Sequence, residues 1–455
     1  MAMKRRAAEK QPELWIATSD LVRTPGHPFY ERLNKILAEA DFDRFVEDQC
    51  ARFYAAGKGR PSVPPGVYMR MLLVGFFEGL DSERGIAWRC ADSLSLRSFL
   101  GYGMSESTPE HSSLSRIRTR LDVEVHQDVF TFVLKVLAQK GLLRGRTIGV
   151  DATTLEANAA LRSIVRRDDG SSYKEFLESL AKASGIKTPT RADLARIDKK
   201  RPKKGSNDDW THPHDPDAKI TKMKDGRTHL AHKAEHAVDM DSGAVLAATV
   251  QDATAGDCTS LKETMAATTV NVATVVSDEM CAEKISPDAL KTWVADKGYH
   301  SNATMEMVHE LGLTSYVSEP ARGERRWRGH EAARAGTYAN RRRLCGRRGQ
   351  ALMRRRGEKI ERSFAHCLET GGMRRLHLRG RLNILKRYLV HVAAFNLSLV
   401  MRTIFGVGTP RGLQGRAAAF AALCRALLGR LLELLGRFER ATSVPEMRTA
   451  LLKAA

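Results

Sequence analysis

The segment Thr147-Ile-Gly-Val-Asp-Ala-Thr153 decides the fold class of this chain. It is apolar apart from its threonines and one charged side chain, Asp151, and the helical periodicity of the preceding residues stops near Gly145. A short apolar run of this kind predicts a buried strand. Burying an unpaired charge is costly, so Asp151 needs a partner or a metal ion. The alternative is that it lies at the strand end and caps the following turn.

A second segment, Trp293-Val-Ala-Asp-Lys-Gly-Tyr-His300, has the same character. We expect a short strand over residues 291–296 that stops at Asp296. Gly298 would then allow the backbone to approach a ligand closely. Either aspartate alone is a weak indication, but carboxylates from two strands can converge on divalent cations.

A third acid is predicted on a later helix, in the segment Ile360-Glu-Arg-Ser-Phe364. The local candidates are three glutamates: Glu358, Glu361 and Glu369. We favour Glu361, because Phe364 and Leu368 follow it at i+3 and i+7 and place it on a face that packs inward. Glu358 lies one turn earlier and stays the alternative. A salt bridge to the nearby arginines would also explain either of the two earlier glutamates.

The charge of the chain indicates a polyanionic partner. The protein has 455 residues and a net charge of +21, and residues 321–390 hold 21 Lys/Arg against 5 Asp/Glu. A concentrated excess of this kind is typical of nucleic-acid binding, whereas a spread-out excess would indicate only solubility. A solvated basic loop is the alternative. Hydrophobic residues make up 42% of the chain, enough for a sizeable core.

Cysteine usage and the N-terminus favour a cytoplasmic, nucleoid-associated protein. The seven cysteines are scattered without a CxxC pair, so neither a disulfide framework nor a zinc finger is expected. No apolar signal core follows the basic start Met-Ala-Met-Lys-Arg-Arg. The apolar stretch over residues 388–401 is too short to span a bilayer, so we expect no membrane partner.

The pattern of periodicities predicts an α/β protein preceded by an all-helical N-terminal domain. We expect a basic arm over residues 1–30 and a helical DNA-binding domain over 31–141, which carries the basic residues Arg116, Arg118 and Arg120. A mixed sheet with flanking helices follows over 142–405, containing a hairpin around Asp241-Ser-Gly243 and helices near 257–267, 301–312, 358–370 and 382–405. Residues 406–455 would form a helical tail, with an amphipathic helix at 417–438.

Residues 165–228 are polar, lysine-rich and broken by prolines, and predict a surface insertion or a partly ordered loop. A cluster within it could suggest a metal site: His212, His214, Asp215 and Asp217. In such a stretch a solvated loop is the better interpretation. Trp327, among arginines, could stack on an unpaired base or anchor its loop.

Several blocks resemble one known family. Residues 60–121 are similar to an InsH-type N-terminal domain through Arg60-Pro-Ser-Val-Pro-Pro, Phe77-Glu-Gly-Leu-Asp-Ser-Glu-Arg and Pro109-Glu-His-Ser-Ser-Leu-Ser-Arg. Val150-Asp-Ala-Thr-Thr-Leu-Glu-Ala-Asn158, Ala295-Asp-Lys-Gly-Tyr299 and Ile360-Glu-Arg-Ser-Phe364 resemble the three acid blocks of DDE transposases from bacterial insertion sequences, of the broad insertion-sequence-four and insertion-sequence-five kind. The resemblance covers residues 25–405.

The resemblance implies a ribonuclease-H-like fold and an enzyme that cuts and joins double-stranded DNA, acting as a homodimer on the transposon ends and the target. Two Mg²⁺ (or Mn²⁺) ions would lie between Asp151, Asp296 and Glu361, which are both the metal ligands and the catalytic residues. A metal-dependent nuclease without strand transfer and a non-catalytic DNA-binding repressor are the alternative functions.

One departure affects the DNA contacts. Many relatives carry tyrosine, arginine and lysine seven and four residues before and seven after the glutamate, where this chain has Arg354, Gly357 and Leu368. We expect neighbouring residues to bind phosphates instead: Arg354, Arg355, Arg356, Arg374 and Arg375. Tyr299, beside the second aspartate, is also expected to position a phosphate.

Overall fold

The computed structural model describes residues 26–413, except 56–61, 202–204, 224–225, 322 and 324, and also residues 420, 424–425 and 427–430. Within these residues, seven α-helices precede the first strand: α1 (Pro28–Glu39), α2 (Phe42–Cys50), α3 (Pro65–Glu78), α4 (Glu83–Asp92), α5 (Leu94–Leu100), α6 (His111–Arg120) and α7 (Val123–Gln139). The later helices are α8 (Tyr173–Ala183), α9 (Arg191–Lys200), α10 (Asp257–Val276), α11 (Glu279–Ala282), α12 (Asn302–Glu310), α13 (Glu331–Cys345), α14 (Arg347–Ala365) and α15 (Arg381–Phe405).

The strands of the described chain form one large sheet and one small one. They are β1 (Thr147–Glu156), β2 (Val165–Arg166), β3 (Trp210–Thr211), β4 (Lys219–Lys222), β5 (Thr228–Asp239), β6 (Val245–Asp252), β7 (Thr292–Ala295) and β8 (Thr314–Val317). The large sheet has the order β4-β5-β1-β7-β8, with β6 also on β5, and β2 pairs with β3.

The helical N-terminal region forms as its sequence predicts. Ser82 caps α4 by accepting from the Gly85 amide at 3.1 Å, and Asp122 caps α7 by accepting from the Val125 amide at 3.0 Å. Helix α3 is apolar on nearly all sides and is buried at the centre. Helix α1 begins at Pro28, inside the predicted arm, whereas residues 1–25 lie outside the described part.

The mixed sheet with flanking helices is confirmed. β1 pairs antiparallel with β5 and parallel with β7, which pairs parallel with β8. Successive side chains of a strand point to opposite faces. On one face Glu235 of β5 contacts α10, and on the other His236 contacts α14 and α15. The sheet is therefore sandwiched between α10 and the α14–α15 pair.

The insertion is more ordered than expected. Between 165 and 228 the chain forms α8, α9 and three short strands around a small core of its own, centred on Trp210 with Ile164 and Leu230. The solvated loop expected for His212, His214, Asp215 and Asp217 is wrong for two of them: His212 and Asp215 are buried, and Asp215 accepts from His232 at 3.3 Å and from the Gly380 amide at 3.2 Å. These contacts give the cluster a structural role.

Two helices differ from their predicted extent. α10 continues nine residues beyond the expected end at residue 267, through a stretch rich in threonine and valine. Packing outweighs the weak helix propensity of these residues, since Asn271 donates to Leu246 O at 2.8 Å and accepts from Gln127 at 2.8 Å. The basic region before Glu358 is also helical, forming α13 and most of α14.

Helix α15 joins the helical region to the sheet. Its Lys386 Nζ donates to Leu121 O at 2.7 Å, and Arg387 donates to Leu80 O at 3.0 Å. Within the described residues one segment, Arg381–Leu413, is long and apolar enough to cross a membrane, but 72% of its most apolar window is buried in the protein. It is therefore the core helix of this fold. The amphipathic helix expected at 417–438 lies outside the described residues for the most part.

Candidate active site

The pairing of β1 with β7 brings the two predicted aspartates to the same edge of the sheet. The parallel register ends at Gly149 opposite Val294, and Asp151 and Asp296 each follow two positions later. Parallel neighbours run in the same direction, so the two carboxylates lie at the same level, although Asp296 directly follows β7 and Asp151 lies midway along the longer β1. They also lie close enough that the Asp296 carboxylate helps to raise the pKa of Asp151.

Asp151 is partly buried and has a cationic partner. Its Oδ2 accepts from Arg356 Nη1 at 2.7 Å, and its Oδ1 accepts from the Ala152 amide at 2.8 Å. Burial raises the pKa of the Asp151 carboxyl, and the Arg356 guanidinium opposes this rise. Gly149 allows α14 and Met240 to pack closely on β1, because a Cβ there would lie 2.6 Å from Met240 Sδ and 3.0 Å from Ile360 Cδ1.

Asp296 lies at the start of a single tight turn that follows β7. Its Oδ1 accepts from the Gly298 amide at 2.8 Å, so the carboxylate caps the turn Lys297–Tyr299. A Cβ at Gly298 would lie 2.2 Å from Asp257 Oδ2 and 3.1 Å from Asp296 Oδ1. The glycine therefore permits a close approach of α10 to this turn, where the sequence had suggested approach of a ligand.

Helix α14 crosses the face of the sheet on which the Asp151 side chain lies, and it carries Glu361. Ile360, Ser363 and Phe364 are buried on the sheet side, whereas Glu361 is exposed, so the prediction that Glu361 lies on the inward-packing face of the helix is wrong. The other glutamates have arginine partners: Glu358 pairs with Arg362 at 3.1 Å, and Glu369 pairs with Arg374. In the part of the chain that the structure describes, no three His, Cys, Asp or Glu side chains are grouped to hold a metal ion. The structure thus gathers the two aspartates but not Glu361.

A buried histidine fixes α14 against the strand next to Asp151. His236 lies opposite Asp151 in the β1–β5 register, and its ring nitrogens contact Ser363 Oγ at 2.9 Å and Tyr388 OH at 2.8 Å. Its ring stacks on Phe364 with centroids 4.1 Å apart. Burial lowers the pKa of His236 to about 3, so this histidine is neutral and structural.

The predicted phosphate-binding arginines occupy different environments. Arg356 binds Asp151, and Arg355 pairs with Asp241 at 3.3 Å in the hairpin. Arg354 is exposed on α14. Arg374 and Arg375 are exposed beside the end of β1, where the Glu156 amide donates to Arg374 O at 3.2 Å.

Tyr299 occupies an interior position rather than the surface expected of a phosphate ligand. It is fully buried, and its hydroxyl donates to Glu235 Oε1 at 2.7 Å. The sequence signal that could have identified this partner is the charged pair Lys233 and Glu235, two residues apart and so on one face of β5. Trp327 is half-buried with Arg325 over its ring at 4.7 Å, which fits a loop anchor.

Comparison with known families agrees with this geometry. The sequence matches the family described as Transposase domain (DUF772) over residues 17–120, and the Transposase DDE domain over residues 150–397, more than half of the chain. The chain therefore belongs to the transposases. Within them it is a member of the DDE transposase family of insertion sequences. No curated protein and no solved structure matches the chain.

The carboxylates at the sheet edge suit the metal ions that this family normally uses. Mg²⁺ prefers oxygen ligands and needs only one or two protein carboxylates when phosphate oxygens and water complete its coordination. Asp151 and Asp296 offer such carboxylates, both partly exposed. The donor set therefore fits a divalent cation held by these two residues.

Proposed function

We propose that this protein is the transposase of a bacterial insertion sequence, which binds the ends of its element and catalyses Mg²⁺-dependent DNA cleavage and strand transfer. The observation that carries the proposal is the placement of Asp151 and Asp296 at the same level on two neighbouring parallel strands, Asp151 within β1 and Asp296 directly after β7, beside the helix that bears Glu361. The order β6-β5-β1-β7-β8, antiparallel up to β1 and parallel beyond it, supports a ribonuclease-H-like fold.

In this function Asp151 and Asp296 hold the divalent cations, two Mg²⁺ or Mn²⁺ ions, and Glu361 completes the set from α14. When bound, such cations make water a better nucleophile and stabilise the charge that develops on the phosphate oxygens. Glu361 is exposed on the same helix whose Arg356 contacts Asp151. Glu358 is the weaker candidate, because its ion pair with Arg362 already occupies it.

The reaction needs no covalent bond between protein and DNA. In the first step a water oxygen bonds to phosphorus at the transposon end, and the bond from phosphorus to the 3′ oxygen breaks, leaving a 3′-hydroxyl. In the second step that hydroxyl loses its proton and its oxygen bonds to a target phosphorus, while the bond to the target 3′ oxygen breaks. The aspartates act by orienting these oxygens in line.

Arginines near the strand ends support a DNA path across this edge. Arg374 and Arg375 are exposed beside the end of β1, and Arg354 is exposed on α14 before the acidic residues. Such side chains bind phosphates and position the duplex without reading its sequence. We propose that sequence recognition at the ends involves the helical region before β1, and that two copies act together as a homodimer.

The test uses full-length protein, labelled element ends and a target plasmid, with Mg²⁺ or with EDTA. Transposition predicts cleaved ends and joined products in Mg²⁺ only. Cleavage without joined products would instead indicate a metal-dependent nuclease. Specific binding of the ends with neither product would indicate a DNA-binding repressor.

A further inference from the structure

A buried carboxylate lies behind the Asp296 turn, on the face of the sheet opposite to α14. Glu235 is fully buried and accepts hydrogen bonds from Tyr299 OH at 2.7 Å, from Ser260 Oγ at 2.7 Å and from Thr264 Oγ1. Burying a carboxylate is costly unless several hydrogen-bond donors compensate for the lost hydration. The folded protein therefore depends on these three hydroxyl donors to Glu235. The proposed chemistry does not use Glu235, since it has no access to DNA.

The donors come from two separate elements, and so Glu235 joins them. Ser260 and Thr264 lie one turn apart on α10, whereas Tyr299 ends the turn that begins at Asp296. The carboxylate is therefore the common acceptor for α10 and for the Asp296 turn. Burial raises the pKa of both the Glu235 carboxyl and the Tyr299 hydroxyl, with Glu235 adding to the rise at Tyr299.

The first turn of α10 holds the Asp296 turn from a second side. Cys258 Sγ donates to Gly298 O at 3.2 Å, and Asp257 Oδ2 lies against Gly298 Cα. Asp257 is itself held by Lys233 Nζ at 2.6 Å, which also donates to Ser260 Oγ at 2.9 Å. The turn is thus fixed at Gly298 by α10 and at Tyr299 by Glu235.

We propose that Tyr299 and Glu235 are positioning residues that hold the Asp296 turn, so that the Asp296 carboxylate keeps its place beside Asp151 for a divalent cation. The inference rests on the proposed function, because it assumes that these two aspartates bind the cation. It assigns Tyr299 a role in the interior, through Asp296, instead of direct contact with a phosphate.

The test measures Mn²⁺ binding to the full-length protein by electron paramagnetic resonance, so it does not depend on activity. Tyr299→Phe removes the hydroxyl and keeps the ring. Outer-shell residues that orient a metal ligand change metal affinity by about 10- to 100-fold, so the Kd for Mn²⁺ should rise by about tenfold or more. The matched control is Tyr30→Phe, which removes another buried tyrosine hydroxyl bonded to a glutamate, Glu78, at 2.6 Å. Its Kd should equal that of the wild type.

A second pair of variants keeps the test decisive if Tyr299→Phe does not fold. Thr264→Val removes a donor to Glu235 without touching the Asp296 turn, and should also raise the Kd. Its control is Thr268→Val, one turn later on α10, whose hydroxyl bonds only to Thr264 O in the described contacts. Thermal unfolding of each variant establishes that it is folded.

The possible outcomes separate the two proposals. If wild-type protein binds Mn²⁺ no more tightly than Asp151→Asn, the proposed function fails whatever the variants do. If the wild type binds Mn²⁺ more tightly than Asp151→Asn, and folded Tyr299→Phe and Thr264→Val bind it as the wild type does, the positioning role is wrong. Weaker binding in these two variants and not in their controls supports it.

Discussion

Arg356 Nη1 lies 2.7 Å from Asp151 Oδ2, although the two residues are 205 positions apart in the chain. This ion pair links the helix that carries Glu361 to the strand that carries the first aspartate. The Arg356 guanidinium, on α14, therefore supplies a positive charge at Asp151 when no metal ion is bound.

We predict that Arg356→Gln destabilises the protein without metal and increases its dependence on Mn²⁺. The pair is partly exposed, at 14% and 25%, so its loss should cost only about 1–2 kcal/mol in EDTA. Added Mn²⁺ should restore much of this loss by binding the folded state. Arg355→Gln, whose partner Asp241 is more exposed, is the control and should change stability little. Equal unfolding curves for Arg356→Gln and wild type in EDTA would contradict the prediction.

Asp151→Asn and Asp296→Asn should each reduce cleavage of the element's ends by at least about 100-fold, the scale on which loss of one electrostatic stabiliser slows a reaction. Binding of the ends should remain, because both side chains serve the cation rather than the DNA. Cleavage assays and gel shifts on the same preparations measure the two effects. Asp241→Asn, in the exposed hairpin, is the control. Near wild-type cleavage by either site variant would remove that residue from the site.

The arginines of α6 are predicted to separate into a structural and a DNA-binding group. Arg118 pairs with Glu83 at 2.8 Å, with both side chains largely buried, so Arg118→Ala should cost about 1–3 kcal/mol of stability. Arg116 and Arg120 are exposed, and changing both to alanine should weaken binding of the ends with little loss of stability. Denaturation curves and gel shifts of the full chain test this. Unchanged binding of end DNA by the Arg116/Arg120 variant would exclude this helix from the interface.

Changing Arg354, Arg374 and Arg375 together to alanine should reduce the dependence of DNA binding on salt. Each lost phosphate contact lowers the slope of log K against log salt by about 0.9, so the slope should fall by up to about three. The loss should be alike for all sequences. The control changes Arg146, Lys284 and Lys291, which are exposed near the opposite ends of the strands. Equal slopes for both variants would show that the site edge has no special role in holding phosphates.

Stability should fall as the pH decreases from 7 to 5, in part because of His126. Burial lowers its pKa to about 4, and its ring contacts Tyr68 OH at 3.2 Å and Asp122 O at 2.8 Å. The unfolded chain takes up a proton on this histidine as the pH falls through about 6.5, whereas the folded protein takes it up only near pH 4. The free energy of unfolding therefore has its full value above pH 6.5 and decreases as the pH falls from 6.5 to 4. The expected loss at pH 5 is about 2 kcal/mol. In His126→Gln the same pH change should cost correspondingly less in denaturant unfolding.

The strands that carry the two aspartates could be predicted from the sequence because each contains a short apolar run with a single charged residue, although β1 continues to Glu156, three residues beyond its predicted end. The hairpin was equally clear from Asp241-Ser-Gly243, where Gly243 has a φ of +85°. These signals are local, and local patterns largely determine strand ends and turns.

The partners of the site residues could not be predicted, because they come from distant parts of the chain. Arg356 was expected on a phosphate and binds Asp151 instead, and Tyr299 points inward to Glu235. Both outcomes depend on how elements that are distant in the chain pack against each other, and no local pattern in the sequence indicates this packing. The small core around Trp210 was missed for a similar reason, since it joins Trp210 and Ala218 of the polar, proline-rich stretch to Ala157, Ile164 and Leu230 on either side of that stretch.

The contacts of α15 have a geometric consequence for the DNA substrate. Lys386 and Arg387 tie this helix to the helical region, while Asn396 ties it to β6 through hydrogen bonds of 2.8 and 2.9 Å with Val245. The two regions share one hydrophobic core, so neither can rotate as a separate body. If the helical region binds the element's ends, the protein holds that region at a fixed distance from the candidate active site. The number of base pairs between the sequence it reads and the bond it cuts would then be set by the fixed distance between the two regions.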